Sequence, residues 1–357
     1  MTFDNIVISG SGKVIPSEVI DQHHFTNHEF FQPTGERIDV RGDEAALKLE
    51  SITGIKERRY AAENINTSDL AYEAAKQAIS HAGIDPETLD QIIVGQNFGD
   101  VRTGSIQTDM VPSIASRVKH LLKIKNPSCT AFDVIFGCPG WIQGVLQAYA
   151  QIQAGMINNA LIIGADTLSR VVDHADRDSM IYADGAGAIV LEKKTETEKR
   201  GILSWGSKTF TLDEAYFLFY GEGYHPEKPN KDLFIKMHGR KIYEFAITQV
   251  PQAMKEVIDE SGHSITDLKK ILIHQANEKM DEAIVKRFYR LYKTPQPEGV
   301  LPMSIQQLGN SSVATVPTLF DMIEKNELDG HEFNKGDLLL FASVGAGMNI
   351  NAFTYLY

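Results

Sequence analysis

Short apolar runs and longer segments of helical period alternate along the whole chain. Ile92–Val94, Phe132–Phe136, Ala160–Ile163, Ile271–Ile273 and Leu338–Phe341 are apolar stretches of strand length, which predicts buried strands. Between them, Leu70–Ala82, Gly140–Ala154, Ile242–Ser261 and Val313–Lys325 place apolar residues at three- and four-residue spacing, which predicts helices. That alternation is the pattern of an α/β fold. The Pro/Gly-rich stretches Gly221–Lys231 and Thr294–Pro302 read as surface loops rather than linkers.

The pattern repeats. Leu89-Asp-Gln-Ile-Ile-Val-Gly-Gln aligns without a gap on Leu268-Lys-Lys-Ile-Leu-Ile-His-Gln, and the same offset pairs Gly83 with Gly262. Downstream, Gly137-Cys138-Pro139-Gly140 pairs with Gly309-Asn310-Ser311-Ser312 after a loop-sized shift. Each of these turns precedes an expected helix, so the spacing predicts an internal duplication. The halves divide at 1–195 and 196–357. Under this reading Cys138 and Asn310 hold equivalent positions, and His274 stands where the first half has Gly95.

Composition narrows the class. The chain has 357 residues with a formal charge of −12, and 43% of its residues are hydrophobic. It can bury a large core, and its net charge disfavours nucleic acid as the main partner. No apolar run approaches a membrane span of about 20 residues. The N-terminal MTFDNIVISGSGKV has no basic leader region, so a cytoplasmic location without a membrane partner is expected. Two cysteines make neither a disulfide framework nor a four-cysteine zinc site.

Cys138 follows an expected strand and a Gly turn and opens a helix. Unpaired N–H groups at a helix start favour a thiolate, which points to a nucleophile; a buried structural cysteine is the competing reading. Cys129 lacks that setting and reads as structural. His274 ends an expected strand, where sites collect in α/β proteins. Asn310 is expected at a helix start, and the turn Gly345-Ala346-Gly347 after the last expected strand offers a backbone N–H. Ser9-Gly-Ser-Gly-Lys13 lacks the residues of a phosphate loop, and His24 with His28 has no partner motif for a metal. Asp173–Asp178 reads as a solvated acidic face, and Asp184-Gly-Ala-Gly-Ala as packing.

Seven ordered segments make the chain resemble the ketoacyl synthase III family. They are Thr53-Gly-Ile-Lys-Glu-Arg, Ala131-Phe-Asp-Val with Cys138, Asp173–Arg177 with Asp184-Gly-Ala-Gly-Ala, Met237-His-Gly-Arg, His274-Gln-Ala-Asn, Gly309-Asn-Ser-Ser with Val316-Pro, and Gly345-Ala-Gly. The resemblance implies a thiolase-like, five-layered αβαβα fold and a homodimer. It implies that Cys138 accepts an acyl group, that His274 and Asn310 bind the extender thioester, and that the N–H groups of Cys138 and Ala346 hold the oxyanion. Arg177, Val111, Gly345 and Gly347 become substrate-binding positions. No metal or other cofactor is implied; acyl-CoA or acyl carrier protein brings the substrates.

The resemblance also implies docking of an acidic acyl carrier protein on Lys279, Lys286 and Arg287, although Glu244 stands where relatives carry a Lys. Relatives that prime from acetyl-CoA have Trp and Arg where this chain has Lys48 and Ile52, and Phe where it has Val111. These departures predict a medium or long acyl donor. A ketosynthase making resorcinol, quinolone or polyketide products is the alternative within the same chemistry.

Overall fold

The computed structural model describes residues 2–227 and 232–357. Eleven of its strands and seven helices position the site. The strands are β1 (Phe3–Val14), β2 (Gln91–Gly95), β3 (Thr130–Val134), β4 (Asn159–Thr167), β5 (Asp184–Glu196), β6 (Gly201–Thr209), β7 (Leu218–Glu222), β8 (Leu233–Met237), β9 (Leu268–Ile273), β10 (Leu338–Gly345) and β11 (Asn349–Leu356). The helices are α1 (Gly42–Thr53), α2 (Thr67–Ala82), α3 (Ile114–Leu121), α4 (Gly140–Gln153), α5 (Gly239–Glu260), α6 (Glu278–Leu291) and α7 (Thr315–Glu324).

Two mixed sheets carry the fold, in the orders β1-β5-β4-β2-β3 and β6-β11-β10-β9. In both, the strands towards one edge run parallel (β2 with β3 and β4; β9 with β10) and those towards the other edge antiparallel. Helices α2 and α3 cover one sheet, α5 and α6 cover the other, and α4 and α7 lie between them. The result is a five-layered αβαβα stack. The central layer has an apolar core in which Trp141, Phe320, Phe341 and Phe353 are buried. Where β3 edges the first sheet, the second has only the loop at Val300, whose carbonyl accepts from Ile271 N at 2.8 Å.

Local chemistry explains the close layering. Helix α2 begins with a capping box between Asn66 and Asp69 and ends at Gly83, in the left-handed region. Its inner face is Ala71, Ala74, Ala75 and Ala78, and it meets β1 at two glycines. A Cβ on Gly10 or Gly12 would lie 2.4 Å from the α2 backbone. The Ser9–Lys13 glycines thus serve helix–sheet contact inside β1.

Several expectations shift. The strand expected at Phe132–Phe136 runs from Thr130 to Val134, and β1, β6 and β11 were not expected at all. Gly345–Gly347 therefore turns between β10 and β11 rather than following the last strand. Gly221 and Glu222 belong to β7, and residues 228–231 of the expected loop Gly221–Lys231 lie outside the described residues. The acidic face is a correction: Asp173 and Asp176 are buried and bind Lys236 of β8 at 2.5 and 3.1 Å, pinning the β7–β8 hairpin over the cavity described below. A buried lysine requires such partners. Among the described residues no helix is long and apolar enough to cross a membrane.

Candidate active site

Two turns from different sheets meet at Cys138. One joins β3 to α4, with Gly137 at φ 65° immediately before the cysteine. The other is Gly345–Gly347. A Cβ on Gly137 would fall 2.6 Å from Ala346 N, and one on Gly345 would fall 2.6 Å from Cys138 N. Only glycine lets the two backbones lie side by side, and this brings the N–H groups of Cys138 and Ala346 to one place. Asn349 staples the pair, since its Nδ2 donates to Ala346 O at 2.7 Å and to Phe136 O at 3.3 Å.

The second half supplies a matching turn. Gly309 has φ 67°, close to that of Gly137, and Asn310 follows as Cys138 does. Asn310 does not cap a helix, contrary to expectation. A short 3-10 turn, Ser312–Ala314, intervenes, and α7 starts only at Thr315. Instead Asn310 Oδ1 accepts from Ser312 N at 2.9 Å, and its backbone is fixed to Ile181 and Ala183 at 3.0 and 2.8 Å. With Oδ1 engaged, Nδ2 is the group left to donate into the cavity. His274 extends β9, donating its N–H to Ala342 O at 2.9 Å. Its ring Nδ1 lies 2.7 Å from Thr315 Oγ1, which is also 3.0 Å from Ser312 O.

Electrostatics separate the roles. Burial pushes the His274 imidazole down to about 4, so the ring is neutral at pH 7. Burial pushes the Cys138 thiol up to about 11, opposed by its hydrogen bond from Ser312 Oγ at 3.5 Å. The lowered thiol pKa expected from a helix start is therefore corrected: loss of solvation outweighs the favourable donors. Asp166, at the end of β4, is pushed up to about 7 by burial. Asn97 donates to it twice, from N at 2.9 Å and from Nδ2 at 2.7 Å. Sequence reasoning missed Ser312, Thr315, Asp166, Asn97 and Asn349. The one available signal was Asp166, a charge embedded in the apolar run Ala160–Leu168.

Cys138, His274, Asn310, Ser312 and Gly345–Gly347 line a single cavity of about 410 Å³. Its other walls are mostly apolar and include Phe98 and Tyr220, stacked 5.2 Å apart. An outer cleft shares Ile181, Met237, Ile242, Ala276 and Met280 with the cavity. Arg177, Lys48, Ile52, Arg240 and Tyr243 line that cleft, so an aromatic face remains at its mouth despite Lys48 and Ile52. Val111 lies elsewhere, 87% exposed, and does not line this chain's cavity. Lys279, Lys286 and Arg287 are exposed on α6; Lys279 donates to Ser51 O beside the cleft, and Arg287 to Ile247 O. Cys129 is buried in the layer between α2 and the first sheet, as its structural reading requires. His24 and His28 pack edge-to-face with Phe25. Asp184 accepts from Ala61 N and from Ser169 N and Oγ, a structural anchor.

Residues 132–209 match the family profile of 3-oxoacyl-[acyl-carrier-protein] synthase III, and residues 258–357 match that family's C-terminal profile. The beta-ketoacyl-[acyl-carrier-protein] synthase III of Erythrobacter litoralis is 31% identical, covering 97% of each chain. That of Staphylococcus haemolyticus is also 31% identical, over 98% of this chain and 97% of the relative. The crystal structure of 3-oxoacyl-[acyl-carrier-protein] synthase III from Aquifex aeolicus superposes with a TM-score of 0.81 at 27% identity, covering 99% of this chain and all of that one.

Proposed function

This chain belongs to the 3-oxoacyl-[acyl-carrier-protein] synthase III family of condensing acyltransferases, and we propose that its three cavity side chains divide the reaction into two half-reactions. In the first, Cys138 sulfur attacks an acyl thioester, the donor thiol leaves, and an acyl-Cys138 thioester remains. The oxyanion formed on the way faces the N–H groups of Cys138 and Ala346. Losing one such donor costs about 2.7–4 kcal/mol in comparable sites.

In the second half-reaction a malonyl-type thioester loses CO₂. Its enolate oxygen needs neutral donors, because a cationic group would be costly in this buried pocket. The Asn310 amide and His274 Nε2–H meet that need. Thr315 Oγ1 donates to Ser312 O at 3.0 Å and lies 2.7 Å from His274 Nδ1; the Nε2–H tautomer forms when that hydroxyl turns from the carbonyl to Nδ1. The enolate carbon attacks the acyl carbonyl, Cys138 departs, and a β-ketoacyl thioester is released. The reaction balances without a metal or redox group.

The observation that carries this reading is the fixed orientation of Asn310: it lines the same cavity as Cys138 and His274, and Oδ1 is tied to Ser312 N, which leaves Nδ2 as its donor. The acyl donor is of medium or long chain, supported by the apolar cavity walls and by Val at position 111. An acyl carrier protein delivers the extender, docking near Lys279, Lys286 and Arg287. The working form is a homodimer, supported by the open edge of β3 and by exposed Ile135 beside it. The test is intact-mass measurement after incubation with acyl thioesters of graded length on CoA and on carrier protein. A single adduct on Cys138, greatest for medium or long chains and lost in Cys138→Ala, is expected. An optimum at acetyl-CoA rejects the chain-length reading, and an adduct in Cys138→Ala rejects the nucleophile.

A further inference from the structure

A backbone donor stabilises an oxyanion only while its turn holds it in position. The N–H groups of Cys138 and Ala346 lie in turns built on Gly137, Gly345 and Gly347, with φ 65° at Gly137 and 133° at Gly347. Glycine permits the close approach of the two turns, but its permissive backbone restrains neither N–H group. The restraint has to come from outside the turns.

Asn349 occupies that place. It opens β11, is 7% exposed, and pairs with Gly345 of β10 on one side and Thr209 of β6 on the other. The Thr209 hydroxyl donates to Asn349 Oδ1 at 2.7 Å, which directs Nδ2 away from that hydroxyl. Nδ2 then donates to Ala346 O at 2.7 Å and to Phe136 O at 3.3 Å. Each of those carbonyls belongs to the peptide unit next to one that carries an oxyanion N–H. A Cβ on Gly347 would lie 2.4 Å from Asn349 Nδ2, so the amide packs directly against the turn. Both amide protons are spent on the two turns, and none remains for a substrate.

We propose that Asn349, oriented by Thr209, is the positioning residue of the oxyanion site. Its one carboxamide ties the β3–α4 turn to the β10–β11 turn and keeps the Cys138 and Ala346 N–H groups aimed at the same point. This role presupposes the acyl transfer to Cys138 proposed above. It extends to both additions to an acyl carbonyl, by the Cys138 sulfur and later by the enolate carbon, because each places negative charge on an oxygen at that point. The thiol itself gains nothing from Asn349, since the hydrogen bond to its sulfur comes from Ser312.

Two reagents separate aim from mere support. Iodoacetamide alkylates Cys138 by displacement at a saturated carbon and develops no oxyanion at the reacting centre. S-hexanoyl-N-acetylcysteamine, which needs no carrier protein, acylates the same sulfur through one. Both rates are followed by intact mass at pH 7.5 for wild type, Asn349→Ala, Thr209→Val and Thr209→Ser. Asn349→Ala should acylate about 10²-fold more slowly and be alkylated at the wild-type rate. Thr209→Val should show the same split at a severalfold level, because the amide keeps its donors and loses the group that orients it. Thr209→Ser, which retains the hydroxyl, should acylate as wild type. The proposal is overturned if folded Asn349→Ala acylates at the wild-type rate, or if acylation and alkylation fall by the same factor. Should Asn349→Ala fail to fold, by thermal melting, the Thr209 pair decides: wild-type acylation by the valine variant, or no recovery in the serine variant, overturns it. Absence of any wild-type acyl adduct, with Cys138 still alkylated, would instead reject the acyl-transfer reading.

Discussion

The two halves of the chain use one frame and reach opposite chemistry. In the first, β2 ends at Gly95, and a Cβ there would lie 2.6 Å from the Gly140 carbonyl carbon and 2.7 Å from Trp141 N. Helix α4 starts so early that it leaves no room for a side chain. In the second, the equivalent helix starts at Thr315, and the Ser312–Ala314 turn takes up the difference. That retreat opens space at the end of β9, and His274 fills it with its Nδ1 against the first residue of α7. The paired turns differ in the same way. Gly137 presents a thiol beside a second backbone N–H, while Gly309 presents a carboxamide locked by its own turn. Under the proposed roles, a small change in where a helix begins converts a nucleophile's seat into a pair of neutral donors.

The comparison is broken most severely by removing the donors of the second half. His274→Ala or Asn310→Ala should slow condensation by about 10²–10³-fold while acylation of Cys138 continues, as followed by product release against adduct mass. Condensation by Asn310→Ala at the wild-type rate would reject the assignment. Next comes the crowded strand end of the first half. Gly95→Ala should cost about 1–3 kcal/mol in urea unfolding, because α4 must shift to admit the methyl group. If it is tolerated, helix position is not what excludes a side chain there.

A smaller effect sharpens the role of Thr315. Thr315→Val should reduce condensation about tenfold and spare acylation, with Thr315→Ser restoring most of the rate, since valine removes and serine keeps the hydroxyl partner of His274 Nδ1. Loss of both half-reactions together would mean that Thr315 only packs. The smallest effect belongs to the surface of α6. Reversing Lys286 and Arg287 to Glu should raise KM severalfold for a carrier-borne extender and leave small thioesters unaffected. Equal effects on both substrates would remove the docking role.

The layers were legible because their inner strands are uninterrupted apolar runs. Ile92–Val94, Ala160–Ile163 and Leu338–Phe341 all sit in sheet centres with both faces covered. Strand β11 escaped notice for a physical reason. Its Asn351 and Thr354 are fully buried but hydrogen-bonded to neighbouring strands and helices, so the residues read as polar while the positions are core. Cys138, His274 and Asn310 could be found because each sits at an element end marked by glycine or by the repeat. Ser312, Thr315 and Asn97 could not, because their contacts to Cys138, His274 and Asp166 join segments far apart in the chain. The thiol's ionisation was misjudged for the same reason. Local sequence shows the helix start but not the surrounding loss of water.

The neighbouring turns at Gly137 and Gly345 set a mechanical condition on the enzyme. The two N–H groups that flank the sulfur belong to different sheets, and their alignment is held by the central layer and the single amide of Asn349. Sliding one sheet over the other by about 1 Å would separate them and cost a factor on the order of 10² in rate, without breaking a strand or a helix. Activity therefore measures registry between layers, a quantity that helix content does not report. On gradual heating, turnover should fail before circular dichroism changes.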